Sequence, residues 1–225
     1  MPTNQRVQSA IVDLSEGLSA IGYETKDVIG PVNPNGEPIP EEEIEEIQED
    51  VQYYLTAETS RSSFYIRFDL DSEYAIVVYP MSVLGHIGSY LNKDEVEALV
   101  GESIDWGETN DQEEDMITKR AAELVVENAD KSQYHTAAFN LSVYASTSVV
   151  DYRQTTTDSG FPVEFQCLRA IFPYSENMTM QRIDNRVHPV IIAGERGRRY
   201  VEYAFRINKD NKSPEEYEFE SIFDS

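Results

Sequence analysis

The residues with the clearest potential for binding chemistry are arginines concentrated in one stretch of the sequence. Arg196, Arg198 and Arg199 lie within AGERGRRY, residues 193–200. Half of the 12 arginines fall in 25 residues, namely Arg182, Arg186, Arg196, Arg198, Arg199 and Arg206. A guanidinium group binds carboxylates and phosphates through paired hydrogen bonds. The cluster therefore predicts a contact surface for an acidic partner.

Two explanations of this cluster remain open from the sequence. The arginines could pair with acidic segments of their own chain, such as residues 94–115, which hold ten carboxylates and no Lys or Arg. Alternatively they contact another copy of the chain, another acidic protein or a nucleic acid. The net charge of −24 opposes nucleic acid binding, and high salt removes the gain from counterion release. We therefore favour a protein partner, expect a homo-oligomer and expect no nucleic acid partner.

Residues that could support catalysis or hold a metal are few. His86, His135 and His188 stand apart and show no metal-ligand spacing. Cys167 is the only cysteine, and its apolar neighbours predict a core position. Glycine-rich phosphate loops and a nucleophile elbow are absent from the sequence. The sequence thus predicts no catalytic residue, no metal site and no cofactor, and we expect a non-enzymatic protein.

The composition is typical of proteins from salt-accumulating organisms. The chain has 42 acidic residues against 18 basic ones, and only six of the basic residues are lysines. Repulsion among so many carboxylates destabilises a compact chain in dilute buffer, whereas in molar salt the Debye length falls to about 3 Å. We therefore expect a protein of extreme halophiles, such as haloarchaea or their viruses, although an acidic mesophilic protein stays an alternative.

Membrane association and export are not predicted. The sequence contains no run of 18 apolar residues. Its first residues, MPTNQRVQSAIVDLSEGL, lack the apolar core of a signal peptide. We expect the virion or the cytoplasm of a high-salt host as the location, with no secretion by a signal peptide and no membrane partner.

The first 40 residues predict an amphipathic helix followed by a linker. Apolar residues recur at helical spacing and form one stripe, at Val7, Ile11, Leu14, Leu18 and Ile21. Four prolines follow between residues 31 and 40, and they predict an extended linker. We therefore assign residues 1–30 to an N-terminal helical arm, 31–40 to a proline-rich linker and 41–225 to an α+β domain. The arm could pack on a neighbouring subunit or fold back onto its own sheet.

The middle of the chain predicts helices around a hairpin. A second helix is expected after Pro40, with an apolar stripe at Ile44, Ile47, Val51, Tyr54 and Leu55. Alternation in FYIRFDL and YAIVVY, residues 64–70 and 74–79, predicts a β-hairpin. Residues 94–115 predict a short helix and an acidic loop, and residues 114–128 a third sizeable helix with Ile117, Ala121, Leu124 and Val125 inward.

The remaining sequence favours strands. AAFNLSVY, SVVDYR and FPVEFQCLRAIF are predicted strands, with a bulge near Cys167 and Leu168 where the inward parity slips. HPVIIA and RYVEYAFRI are predicted to form a closing hairpin whose turn is GERG, residues 194–197, with the arginines at its tip. The fold class is therefore α+β, with a mainly antiparallel sheet, two to three packing helices, the N-terminal helix on its linker and a C-terminal hairpin extension.

The order helix, two strands, helix and hairpin over residues 41–174 resembles the tail-terminator, or tail-completion, proteins of tailed viruses. SVVDYRQTTTDSGFPVEFQCLRAIFPY, residues 148–174, is similar to their closing hairpin in its sequence of strand, polar turn and long strand. The resemblance implies a ring-forming structural protein at a virion joint, with charged hairpins that dock on neighbouring subunits.

We therefore expect a structural or assembly protein of a halophilic system, such as a head–tail joint or tail component, that acts by subunit–subunit contacts. The alternative is an intracellular chaperone-like or adaptor protein of a haloarchaeon. A ring or larger assembly in solution would favour the first, and a monomer or dimer the second.

Overall fold

The structure is a computed structural model that describes residues 3–40, 42–44, 51–60, 62–129, 131, 133–174 and 178–205. In this part of the chain six helices and six strands follow one another. They are α1 Thr3–Ala20, β1 Glu24–Val32, β2 Gln52–Glu58, β3 Ser63–Asp69, β4 Ala75–Ser82, α2 Val83–Gly88, α3 Lys93–Val100, α4 Asp111–Glu127, α5 Gln133–Ala145, β5 Asp151–Thr156, β6 Pro162–Ile171 and α6 Met180–Ala204.

The six strands form one sheet in the order β1-β2-β3-β4-β6-β5. Every neighbouring pair is antiparallel, so the α+β class with an antiparallel sheet is confirmed. The predicted hairpin of residues 64–79 is β3–β4, paired from Tyr65 with Val78 to Phe68 with Ala75. The strands predicted on either side of the QTTTDSG turn are β5 and β6.

Helices α1, α5 and α6 pack against one face of the sheet. That face carries the buried alternate residues of the central strands, including Leu55, Ile66, Val77, Phe165 and Cys167. Helix α6 contacts both β4 and β6, and it is flanked by α1 and α5. Cys167 is fully buried within this core, as the sequence predicts. The core of the described chain therefore lies between a single sheet and a helical layer.

The predicted first helix is confirmed as α1, but the linker that was to separate it is not. The apolar stripe of α1 belongs to the same core as the sheet, with Leu14 and Leu18 fully buried. Gly17 of α1 lets the side chain of Ile183 on α6 approach its backbone closely. Strand β1 covers residues 24–30, which were assigned to the arm, and residues 31 and 32 of the predicted linker, and it pairs with β2. The helix thus packs on its own sheet, which is the second of the two arrangements left open above.

The second helix predicted after Pro40 is wrong from residue 51 onward. Gln52–Glu58 is strand β2, paired residue for residue with β3. Tyr53, Leu55 and Ala57 are buried, while the residues between them are partly exposed. Val51, Tyr54 and Leu55 also fit helical spacing, but the segment forms a strand because β3 lies beside it and pairs with it. Ile47 lies outside the described residues.

The acidic region folds as predicted, with more definite helix ends. The short helix is α3 and the third sizeable helix is α4, in which Ala121 is buried and the other predicted inward residues are partly buried. Both helices begin with a capping box, in which Asn92 pairs with Glu95 and Asn110 with Glu113. These asparagines satisfy backbone N–H groups that each first turn leaves unpaired.

Two segments predicted as strands form helices. AAFNLSVY lies in α5, where the buried residues Tyr134, Ala137, Ala138, Leu141 and Ala145 follow helical spacing. The predicted closing hairpin is also wrong, since HPVIIAGERGRRYVEYA continues α6 to Ala204. The chain therefore has more helices than the two or three expected, and the AGERGRRY arginines lie on a helix rather than at a hairpin tip.

The glycines of GERG serve packing rather than a turn. A Cβ on Gly194 would collide with the ring of Tyr79 on β4. A Cβ on Gly197 would lie 2.7 Å from Cζ of Phe165 on β6. The two glycines therefore let α6 approach the aromatic residues of the sheet, at the cost of the lower helix propensity of glycine.

The bulge predicted near Cys167 and Leu168 is wrong. The β4–β6 pairing runs in unbroken register from Ala75 with Ile171 to Ser82 with Glu164. The alternation of apolar residues changes face here because both faces of β6 are buried at this point. Leu168 pairs with the buried Val78 on the face away from α6. The register shift in this part of the sheet lies instead in β5, between Thr155 and Thr156.

Candidate interaction site

Helix α6 carries the predicted arginines but divides them into two groups. Arg182 and Arg186 lie in its first two turns, whereas Arg196, Arg198 and Arg199 lie in its second half. Arg206 lies outside the described residues. The six arginines therefore do not form a single tip, and the two groups have different environments.

Arg198 and Arg199 of the second group form ion pairs within α6. Arg198 Nη2 lies 2.5 Å from Glu195 Oε2, and Arg198 Nη1 lies 2.9 Å from Glu202 Oε1. Arg199 Nη1 lies 3.2 Å from Glu202 Oε2. The spacing of three and four residues places these side chains on neighbouring turns of one helix face. Arg198 and Arg199 thus pair with their own chain, although with α6 rather than with the acidic segment 94–115.

This cluster also ties α6 to the elements beneath it. Glu202 is 1 % exposed and accepts a hydrogen bond from Tyr90 at 3.0 Å, while His86 Nε2 on α2 lies 3.2 Å from the same oxygen. Tyr79 of β4 donates to Glu195 Oε1 at 2.9 Å. Nearly every oxygen lone pair of the two buried carboxylates therefore faces a donor, which is what a buried charge requires.

Burial and neighbouring charges shift the pKa values of Tyr79 and Arg198 in this cluster. Burial raises the pKa of the Tyr79 hydroxyl well above its usual value, and the negative charge of Glu195 raises it further. Burial opposes the charge on Arg198, but its hydrogen bonds with Glu195 and the charges of both carboxylates raise its pKa overall. We conclude that the cluster is a packing element that fixes α6 on β4 and α2.

The first group opens onto a cleft between α6 and the end of β6. Arg182 and Arg186 line it together with Arg169 of β6. The other lining residues are Ile171, Phe172, Met178 and Asn185. The cleft has a volume of about 560 Å³, which is within the range of small-molecule and peptide sites. We call it the arginine cleft.

Arg169 is positioned by a proline within α6. Pro189 has no N–H, so the carbonyl of Asn185 one turn earlier loses its helical partner. Arg169 Nη1 donates to this carbonyl at 2.7 Å. The register of β6 turns Arg169 towards the helical layer, on the side of Cys167 and Ile171. A strand and a helix thus fix this guanidinium at the wall of the cleft.

The arginine cleft concentrates positive charge in an otherwise acidic chain. Within the described residues no ion pair joins Arg169, Arg182 or Arg186 to a carboxylate. Burial lowers the pKa of Arg169, and the neighbouring charge of Arg186 lowers it further. The repulsion between these two guanidinium groups is relieved when an anion binds between them.

The cleft also has an apolar wall. Phe172 is 50 % exposed, and its ring packs edge-on against Tyr74, with 6.2 Å between the ring centroids. Met178 adds a flexible apolar side chain at the rim. Guanidinium groups suit carboxylates or phosphates, and the apolar wall suits an aromatic or aliphatic side chain next to them. The cleft therefore combines groups that suit anions with an apolar surface next to them.

Of the three arginines that line the cleft, the sequence analysis selected Arg182 and Arg186 but not Arg169. Arg169 lies 13 positions before Arg182 in the sequence and outside the 25-residue cluster. One signal was present: Arg169 shares strand parity with Cys167, Phe165 and Ile171, so it interrupts an apolar face of β6. A charged residue on the core side of a strand marks a site where a partner or a polar group must meet it.

Metal and membrane features are also absent from the described residues. Among them, no group of three or more His, Cys, Asp or Glu residues is arranged to hold a metal ion. None of the helices in this part of the chain is long and apolar enough to cross a membrane.

Comparisons with models of protein families, with curated protein sequences and with solved structures found no match to this chain.

Proposed function

We propose that the protein is a structural or assembly protein that acts by subunit–subunit contacts, and that the arginine cleft receives an acidic segment of the partner. The observation that carries the proposal is the convergence of Arg169, Arg182 and Arg186 on one open cleft in a chain of net charge −24. Such a chain gains most from contacts that place its few cations against the carboxylates of a neighbour.

The choice of arginine fits contact formation at high salt. Long-range attraction is screened in molar salt, so only pairs in direct contact retain their energy. Bidentate guanidinium–carboxylate pairs meet this condition, and the apolar wall at Phe172 and Met178 adds a contribution that does not depend on charge. The cleft is thus suited to the halophilic system that the composition predicts.

We further propose that this assembly is a virion joint or tail. The support is the resemblance to tail-terminator proteins, of whose element order the described residues hold β3–β4, α4 and β5–β6. The helix that the resemblance needs from residue 41 is replaced by β2 from Gln52 onward, and the arginines proposed to dock on a neighbour lie on α6 instead of a hairpin. The docking element of this proposal is therefore the arginine cleft.

The test is the self-association of an Arg182→Gln/Arg186→Gln variant in molar KCl. We expect its association constant to fall at least tenfold, because truncating one side of a desolvated charge pair costs about 2–5 kcal/mol. Thermal stability should change little, since neither arginine forms an ion pair among the described residues. Sedimentation velocity over a concentration series measures the first quantity, and thermal unfolding the second.

The matched control is Arg120→Gln/Arg153→Gln, which removes two arginines from outside the cleft. Arg120 pairs with Glu123 and Glu127 on the exposed face of α4, and Arg153 is exposed on β5. We expect this control to associate like the wild type. Equal association of the cleft variant and the control would refute the proposal. A wild-type chain that remains a monomer or forms only a dimer would favour the adaptor alternative.

A further inference from the structure

One segment of the chain has the chemistry that the arginine cleft would recognise. Residues 214–224, PEEYEFESIFD, contain five carboxylates, three aromatic residues and no Lys or Arg. No other stretch of the sequence alternates acidic and aromatic residues in this way, as in EYEFE, residues 216–220. This segment follows α6, whose first turns line the cleft.

The spacing of the segment matches the spacing of the arginines. In an extended backbone, residues two apart lie about 6.8 Å from each other on the same side. Glu216, Glu218 and Glu220 would then share one side, and Tyr217 and Phe219 the other. Arg182 and Arg186 are four residues apart on α6, which separates their Cβ atoms by about 6 Å. Successive carboxylates of an extended segment can therefore meet successive arginines, with the aromatic rings turned to the apolar wall.

We propose that residues 214–224 of one copy of this chain dock in the arginine cleft of a second copy. The inference rests on the proposed function and names the partner in it. Carboxylates of the segment pair with Arg182, Arg186 and Arg169, and its aromatic side chains pack on Phe172 and Met178. Each copy can present its segment to the next copy in the same way, and such head-to-tail contacts close into a ring when the rotation between neighbouring copies permits.

The length of α6 favours docking of the segment in a second copy over docking in the cleft of its own chain. The helix rises by about 1.5 Å per residue, so Phe205 lies about 31 Å along the axis from the cleft at residue 184. The eleven residues from 206 to 216, the first of the three alternating glutamates, span at most about 36–40 Å when fully extended. Docking within one chain would leave about 5–9 Å of slack and would hold this connection close to full extension, at an entropy cost of about 1–2 kcal/mol for each residue that is fixed. A second copy is not subject to this constraint.

The test exchanges charges between the two surfaces in the full chain. The cleft variant is Arg182→Glu/Arg186→Glu, and the segment variant is Glu216→Lys/Glu218→Lys/Glu220→Lys. We expect each variant alone to associate at least tenfold more weakly than the wild type in sedimentation velocity. An equimolar mixture should regain association, because the wild-type segment of the cleft variant fits the wild-type cleft of the segment variant.

The other outcomes separate this inference from the function on which it rests. If the segment variant associates like the wild type while the cleft variant does not, the inference is wrong and the proposed function stands. If both associate like the wild type, the proposed function fails as well. If the mixture stays dissociated but one chain with all five substitutions associates like the wild type, the contact forms within a chain. That result would refute docking between copies.

A peptide measurement keeps the test decisive if the cleft variant is poorly folded. A fluorescein-labelled peptide of residues 213–225 is titrated with the segment variant, whose own cleft is free, and its anisotropy is followed in molar KCl. We expect binding at least tenfold tighter than for a peptide in which Gln replaces every Glu and Asn replaces Asp224. Equal binding of the two peptides would overturn the proposal.

Discussion

Replacing Glu202 by Gln tests whether the buried charge cluster fixes α6. The carboxylate is 1 % exposed and faces two guanidinium groups, the Tyr90 hydroxyl and His86. Gln keeps the size of the side chain but removes its charge, and its amide turns donors towards Arg199 or Arg198. Arg198, whose side chain is 15 % exposed, then keeps only Glu195 as a counter-charge.

The magnitude follows from the loss of one partner of a buried ion pair, which costs about 3–5 kcal/mol. For a chain of this length 1 kcal/mol shifts the melting temperature by about 2–4 °C, so we expect Tm to fall by about 6–20 °C. The free energy of unfolding is measured by urea denaturation in molar KCl, because urea leaves the ionic strength unchanged. Double-mutant analysis with Arg198→Met should give a coupling energy of at least about 1 kcal/mol.

The matched control is Glu123→Gln on α4. Glu123 lies 3.0 Å from Arg120, but its side chain is 37 % exposed, and exposed pairs contribute about 0–1 kcal/mol. A loss below about 1 kcal/mol for Glu202→Gln, equal to that of the control, would contradict the role of the cluster in holding α6.

Three further predictions concern stability. Unfolding should be cooperative in molar KCl and Tm should fall steeply in dilute buffer, because unscreened carboxylates repel; an unchanged Tm would remove the halophilic interpretation. Leu14→Ala in α1 should lower the free energy of unfolding in urea by about 2–5 kcal/mol, since Leu14 is fully buried. Val12→Ala on the exposed side of α1 should have little effect. Equal effects of the two substitutions would instead support an N-terminal helix that is detached from the core. Burial raises the pKa of Cys167 to about 12, whereas the thiol of the unfolded chain titrates near about pH 8.5. The contribution of the buried neutral thiol to the free energy of unfolding is therefore full below about pH 8.5. It is lost as the pH rises towards about 12, by up to about 1.4 kcal/mol per pH unit. Stability of Cys167→Ala should therefore fall less between pH 8 and pH 10 than that of the wild type, and identical pH slopes would contradict the burial of the thiol.

Elements whose pattern has one period were predictable from the sequence. The β3–β4 hairpin, α1 and α4 each carry a stripe or alternation that only one secondary structure satisfies. The segments predicted wrongly are those where both periods fit. In α6, the β-branched and aromatic residues around Gly194 and Gly197 favour strands locally, and the helix is decided by packing on Tyr79 and Phe165.

The sequence indicated the residue type that lines the candidate site but not the position of the site. The type and number of arginines indicated carboxylate recognition, and Arg182 and Arg186 do line a cleft. Arg198 forms ion pairs within its own chain because Glu195 and Glu202 lie three and four residues away on the same helix. These ion pairs could not be predicted while the segment was assigned to a hairpin. Arg169 enters the cleft through pairing of β4 with β6, which the sequence does not specify.

The strand order has a consequence for how the chain folds. All neighbours in the sheet follow one another in sequence except β4 and β6, so β1–β4 and β5–β6 are two local units. They join only when the helices between Val83 and Ala145 bring β6 back to β4. Closing a flexible loop of that size costs about 3–4 kcal/mol of chain entropy, well above the cost of a tight turn. The β4–β6 ladder is therefore the contact of highest sequence separation within the sheet, and we expect its formation to limit the folding rate.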